Sequence, residues 1–172
     1  MTPGTLEIRI GDSELAVDVI GGGLHLLPVG PLTLLAGPLR DGDPPPPAAL
    51  TNAFGLVEDH LDDLIIHAPS VVATPGVVLT GPYAEAMARV EIGAAEIPAD
   101  YGLVRADADE VFRTLAVESA HERRHNPGLP VDHAESIIAT CCVILGIMRR
   151  FDLSGVAIDV SATHSDAGGT TR

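Results

Sequence analysis

Lysine is missing from this 172-residue sequence, and so is tryptophan. Every fixed cation is therefore an arginine, and ten basic residues face 24 acidic ones for a formal net charge of −14. A surface of that sign repels polyanions, which argues against a nucleic-acid partner. Aromatic residues make up 3% of a chain that is 46% hydrophobic, so its core has to be aliphatic. A mean hydropathy of +0.28 marks a globular chain, not a disordered one. Cysteine is scarce, and the two present, Cys141 and Cys142, are adjacent in an apolar run. Neighbours on a helix point about 100° apart, so no disulfide between them is expected, and buried reduced thiols fit a cytoplasmic location. The opening residues, MTPGTLEIRIGD, have no basic or apolar leader region, so no signal peptide is expected. The longest apolar stretch, SIIATCCVILGIM, is too short for a bilayer and ends at Arg149 and Arg150. It reads as a buried helix, and no membrane partner is expected.

The patterns that are present describe an α/β chain. TLEIRIG alternates apolar and polar residues, Gly11-Asp12 makes a turn, and ELAVDVI alternates again, which predicts a hairpin. Gly21-Gly22-Gly23 then reads as a turn before a third strand, LHLLPVG, because a phosphate-binding glycine loop needs a helix start after it. PLTLLAGPL is a short apolar segment, and DGDPPPP is a stiff exposed spacer. From Ala48 to His67, Leu50, Phe54, Val57, Leu61 and Ile65 share one helical stripe. SVVATPGVVLTG reads as one strand or as two short ones, and Pro82 starts a short helix in PYAEAMARVEIG. Asp107 and Glu110 form a capping pair for a helix running to His125, and Asp132 and Glu135 repeat it for a helix to Arg150. GVAIDV closes as a strand. The order β-β-β-α-β-α-α-β resembles a ribonuclease-H-like unit: one domain over residues 1–160, with a mixed sheet flanked by helices and a flexible tail at 161–172.

HERRHNPGLP, at residues 121–130, holds two readings at once. His121, Glu122 and His125 have the H-E-x-x-H spacing, in which two histidines one helical turn apart bind zinc and the glutamate acts as general base. His133 is the best third ligand. These four residues define the alternative reading, a small zinc metallopeptidase. The same stretch also contains E-R-R followed by P-G-L, which accounts for Glu122, Arg123, Arg124, Pro127, Gly128 and Leu129 without a metal. The main reading therefore assigns no metal site.

From Tyr101 to Val160 the chain resembles the second half of the exopolyphosphatase / guanosine pentaphosphate phosphohydrolase (Ppx/GppA) family. The likeness rests on a Gly-Leu strand, a helix ending in E-R-R, P-G-L, His133-Ala134-Glu135 at an R-A-D-like helix start, an apolar helix, and a strand ending in Val-Ser. Upstream, LLPVGPLTLLAG and DGDPPPPAAL resemble that family's L-P-x-G segment and proline-containing spacer, and VVLTGPYAEAMA resembles a glycine loop with its helix start. The resemblance implies phosphate-binding roles for Gly4, Thr5, Thr80 and Gly81, a catalytic role for Glu7, and at most Mg²⁺ as cofactor. Met1-Thr2-Pro3 depart from the family's phosphate loop, and Pro3 lacks an N–H donor. The family also works with a further domain supplying a second loop and a carboxylate. The expectation is a Ppx/GppA-like domain that is catalytically incomplete alone and acts as a partner-binding or regulatory half. Its partner would be a second copy or a complementary domain, and its ligand one that contains phosphate.

Overall fold

A computed structural model describes residues 5–19, 21–74 and 76–161. Gly4 and the tail beyond Ser161 lie outside the described residues. Strand β1 (Thr5–Ile10) buries Leu6, Ile8 and Ile10 and exposes Glu7 and Arg9, while β2 (Leu15–Val19) buries Leu15, Val17 and Val19. Residues two apart share a face, so this alternation packs one side of the sheet and leaves the other open. β3 (Gly23–Leu27) pairs antiparallel to β2, and Gly21 (φ +82) and Gly22 form the turn expected of the glycine run. β4 (Gly76–Thr80) runs parallel to β1, β6 (Gly155–Asp159) parallel to β4, and the short β5 (Gly102–Val104) antiparallel to β6. The order across the six-stranded sheet is β3-β2-β1-β4-β6-β5. The fold class is the α/β, ribonuclease-H-like arrangement expected from the sequence, and β5 is the Gly-Leu strand of the resemblance, which the element order read from periodicity left out.

The helices are α1 (Pro31–Ala36), α2 (Pro47–His67), α3 (Pro82–Ile92), α4 (Arg105–Leu115), α5 (Ala120–Arg123) and α6 (Ile137–Arg150). Proline opens α1, α2 and α3, where its missing N–H costs nothing and its fixed φ suits the first turn. Every residue of α6 from Ile137 to Met148 is buried, as a helix apolar all round must be, and α1, α2, α3 and α4 all pack on it. Cys141 and Cys142 are free thiols inside it; burial pushes both upward, Cys142 to about 12, so they stay protonated and unreactive. On α2 the buried stripe is Ala49, Ala53, Val57, Leu61 and Leu64, so Leu50, Phe54 and Ile65 are only partly buried. Small residues turn inward because α6 comes close: a side chain at Gly146 would start 2.7 Å from a Val57 methyl carbon.

Three element readings need correction. The helix expected to run to His125 stops at Leu115, and α4 has no side-chain cap from Asp107. Ser119 starts α5 instead: its hydroxyl accepts from the Glu122 N–H at 3.3 Å, and the Glu122 carboxylate accepts from the Ser119 N–H at 2.7 Å. The Asp132–Glu135 pair caps nothing. Residues Val131–His133 form a 3-10 turn, α6 begins after Ser136, and Glu135 pairs with Arg124 at 3.4 Å. Residues 31–36 are helical, and only the Gly76–Thr80 part of SVVATPGVVLTG is a strand, since Pro69–Ala73 coil into a 3-10 helix.

Candidate functional site

Parallel β1 and β4 end side by side, and their outgoing chains diverge, one into the β1–β2 turn and the other into α3. In open α/β sheets such a switch point is where ligands bind. Three backbone segments converge here. Gly81, at φ +100, lets the start of α3 press on β1; a Cβ there would lie 2.9 Å from the Ile10 carbonyl oxygen. Gly30 does the same from α1, since a Cβ would lie 2.7 Å from the Asp12 carbonyl oxygen. The Leu32 N–H donates to that oxygen at 2.8 Å, and the Thr33 hydroxyl donates to the Ser13 carbonyl at 3.2 Å. Glycine at positions 30 and 81 thus holds the turn in place.

The resulting mouth is a cavity of about 320 Å³ whose lining includes Asp12, Tyr83, Asp132, His133 and Glu135. The Tyr83 hydroxyl donates to the Asp12 carboxylate at 2.8 Å, and the His133 ring stands edge-on to Tyr83 with centroids 5.1 Å apart. Burial, then the hydrogen bond to Asp12, pushes Tyr83 up to about 12, while burial lowers His133. Both are neutral near pH 7, so the lining holds three carboxylates and no arginine, with Arg124 pairing Glu135 from outside it. Mg²⁺ takes oxygen ligands, yet among the described residues no three His, Cys, Asp or Glu side chains come close enough to hold a metal ion.

The structure separates the residues singled out for phosphate. Thr80 and Gly81 come just before Pro82, which lines the mouth, but neither lines it. Thr5 pairs with Gly76, four residues down the same ladder, which is about 13 Å away. Glu7 lies between Val78 and Asp18 on the open sheet face. Thr80 is 1% exposed, and its hydroxyl has no hydrogen-bond partner among the described residues.

The H-E-x-x-H residues are likewise split. His121 and His125 are close, with ring centroids 5.4 Å apart, but the Glu122 carboxylate is occupied by the Ser119 N–H and hydroxyl. His133 stands at the mouth against Tyr83 instead. E-R-R has a different task. Arg123 is 3% exposed; it donates to the carbonyls of Ala134 (3.0 Å) and Glu118 (3.0 Å) and to Asp43 (3.2 Å). Asp43 also accepts from the Ala120 N–H at 2.9 Å. Sequence reading missed Asp43 and Tyr83. Nothing local marks the first, but Gly11-Asp12 after a strand and Tyr83 after Gly81 become neighbours once β1 and β4 pair.

No protein-family model matches the chain, and no curated protein does. Solved structures do. An exopolyphosphatase-like protein superposes with a TM-score of 0.79 at 16% identity, covering 92% of this chain and 55% of that one. An Aquifex aeolicus PPX-GPPA enzyme gives 0.77 at 16% identity, covering 92% and 54%. An exopolyphosphatase from Cytophaga hutchinsonii gives 0.68 at 14%, covering 91% and 53%. The fold is that of Ppx/GppA proteins. The chain spans about half the length of these Ppx/GppA structures, in keeping with a half-domain. At this identity the likeness carries the fold alone.

Proposed function

We propose that this chain is a Ppx/GppA-like domain that does not release phosphate by itself and serves as a partner-binding half. One observation supports the reading above others: at the switch point the Asp12 carboxylate is bonded to Tyr83, with Asp132 and Glu135 beside it. A polyphosphate brought to that mouth meets like charge, and the nearby Arg124 is already taken by Glu135, whereas phosphoryl chemistry needs donors and cations aimed at the phosphate oxygens. The Ppx/GppA-like fold and the names of its neighbours make polyphosphate and guanosine pentaphosphate the substrates to try. Purified chain with Mg²⁺ should release phosphate from either at the rate of a Glu7→Ala control. Release clearly above that control, lost on Gly81→Ala, would overturn the reading.

A further inference from the structure

The open face of the sheet lies apart from the mouth. Strand register lines its residues up in rows. One row runs Leu24, Asp18, Glu7, Val78, Ala157, Gly102. Its character changes along its length. The antiparallel half carries charge, as a sheet facing water does. Over β4, β6 and β5 the side chains are small and apolar: Val78, Ala157 and Val104, with Gly76, Gly102 and Gly155. Parallel strands are ordinarily covered on both faces. Here the residues packed against the helices are Val77, Leu79, Val156 and Ile158, on the other face. A groove of about 630 Å³ follows these strands, whose open face no described helix covers, and its lining contains two carboxylates, Asp100 and Asp159, and no basic side chain.

We infer that this groove seats an amphipathic helix from another polypeptide, with small apolar residues toward Val78 and Ala157 and arginine or lysine toward Asp100 and Asp159. Helical form follows from the sheet. The backbone groups of β4 and β6 are paired within the sheet, so an occupant lying on its face must satisfy its own N–H and C=O groups. The basic flank follows from charge complementarity. A second copy is a poor occupant: it is equally acidic, and every described arginine except Arg9 already holds a carboxylate. The last residues given, ATHSDAGGTTR, are rich in glycine and threonine, poor helix formers, and carry no apolar stripe at helical spacing. The inference deepens the partner-binding reading, and its test is separate from phosphate release.

The probe is a fluorescein-labelled helical peptide of about 18 residues, long enough at 1.5 Å per residue to cross the groove, with alanine and leucine on one face and arginine on its flanks. A scrambled peptide of the same composition has the same charge but no apolar stripe. The full chain should bind the amphipathic peptide about tenfold or more tightly than the scrambled one, with Ala157→Arg and Asp100→Arg each removing most of the difference. Both variants change exposed positions, and an unaltered melting temperature shows that they fold. The buried native thiols leave Ala157→Cys as the reactive one, and the amphipathic peptide should slow its alkylation. Equal binding of the two peptides, or binding indifferent to both variants, would overturn the inference. A wild-type dimer by light scattering that Ala157→Arg dissolves would overturn it too, while leaving partner binding itself intact.

Discussion

Arg123 shows how one side chain can hold four segments together. Its guanidinium reaches carbonyls before and after α5 and the Asp43 carboxylate from the proline spacer. Burial lowers its pKa, and Asp43 opposes that shift. Asp43→Ala should cost about 2 kcal/mol in urea denaturation, since it removes a charged partner and the Ala120 N–H acceptor; the carboxylate is half exposed, which keeps the loss below that of a fully buried pair. Arg123→Lys should not fold better than Arg123→Ala by more than a small margin, because an ammonium cannot span the same fork of acceptors. Gly128 is the other single-atom constraint. A Cβ there would collide with the Arg89 carbonyl at the end of α3, and no flexible side chain lies between to yield. Gly128→Ala should destabilise by about 3 kcal/mol, read from the shift in denaturation midpoint. Tyr83 supplies a pH signature. Its folded pKa is raised from 10 to about 12, so the folded state keeps its proton longer than the unfolded state. Stability is full below pH 10 and falls as pH rises through 10 to 12, by about 2 to 3 kcal/mol at most. Tyr83→Phe should shrink that fall in melting temperature without abolishing it, because burial and the hydrogen bond to Glu91 also push Tyr101 up; an unchanged fall would place the whole titration elsewhere.

Among the elements, the break between α4 and α5 matters most. A continuous helix would leave the E-R-R face wherever its period placed it. The interruption at Ala116 and Ser119 reorients the chain so that Arg123 points inward and the flanking residues Glu122 and Arg124 face solvent. Ser119 enforces the restart. Ser119→Ala removes the acceptor for the Glu122 N–H and a donor to its carboxylate and should cost about 1 kcal/mol, while Ser119→Thr, which keeps the hydroxyl, should retain most of that stability. A Ser119→Ala variant as stable as wild type would mean that Arg123 alone fixes the turn.

At the scale of the whole molecule, one aliphatic cluster joins the sheet to α2, α3 and α6. Nothing in that cluster requires a staple, and the H-E-x-x-H residues lie outside it. Chelator should leave the melting temperature within about 1 °C, and His121→Ala/His125→Ala should behave as an ordinary surface substitution. A chelator-dependent drop of several degrees, abolished in that double variant, would show a structural metal. The charge budget also acts here: with net −14 the chain should resist self-association at low salt and gain any basic partner faster as salt falls.

Periodicity and turn chemistry were enough to derive the hairpin, the glycine turn, the helix from about Ala48 to His67, the central apolar helix and the ribonuclease-H-like class. These depend on which residues neighbour each other within a segment, and a period of two or 3.6 records that directly. Strand pairing is a different kind of information. It placed Thr5 and Thr80 at opposite ends of a ladder, brought Asp12 to Tyr83, and carried His133 away from His121 and His125. Those outcomes depend on contacts such as Asp12–Tyr83, 71 residues apart, and Asp43–Arg123, 80 apart, for which no local spacing exists. The same holds for helix starts. Asp107–Glu110, Ser119–Glu122 and Asp132–Glu135 are equivalent as strings, and only the packing of Arg123 and α6 selected Ser119 among them.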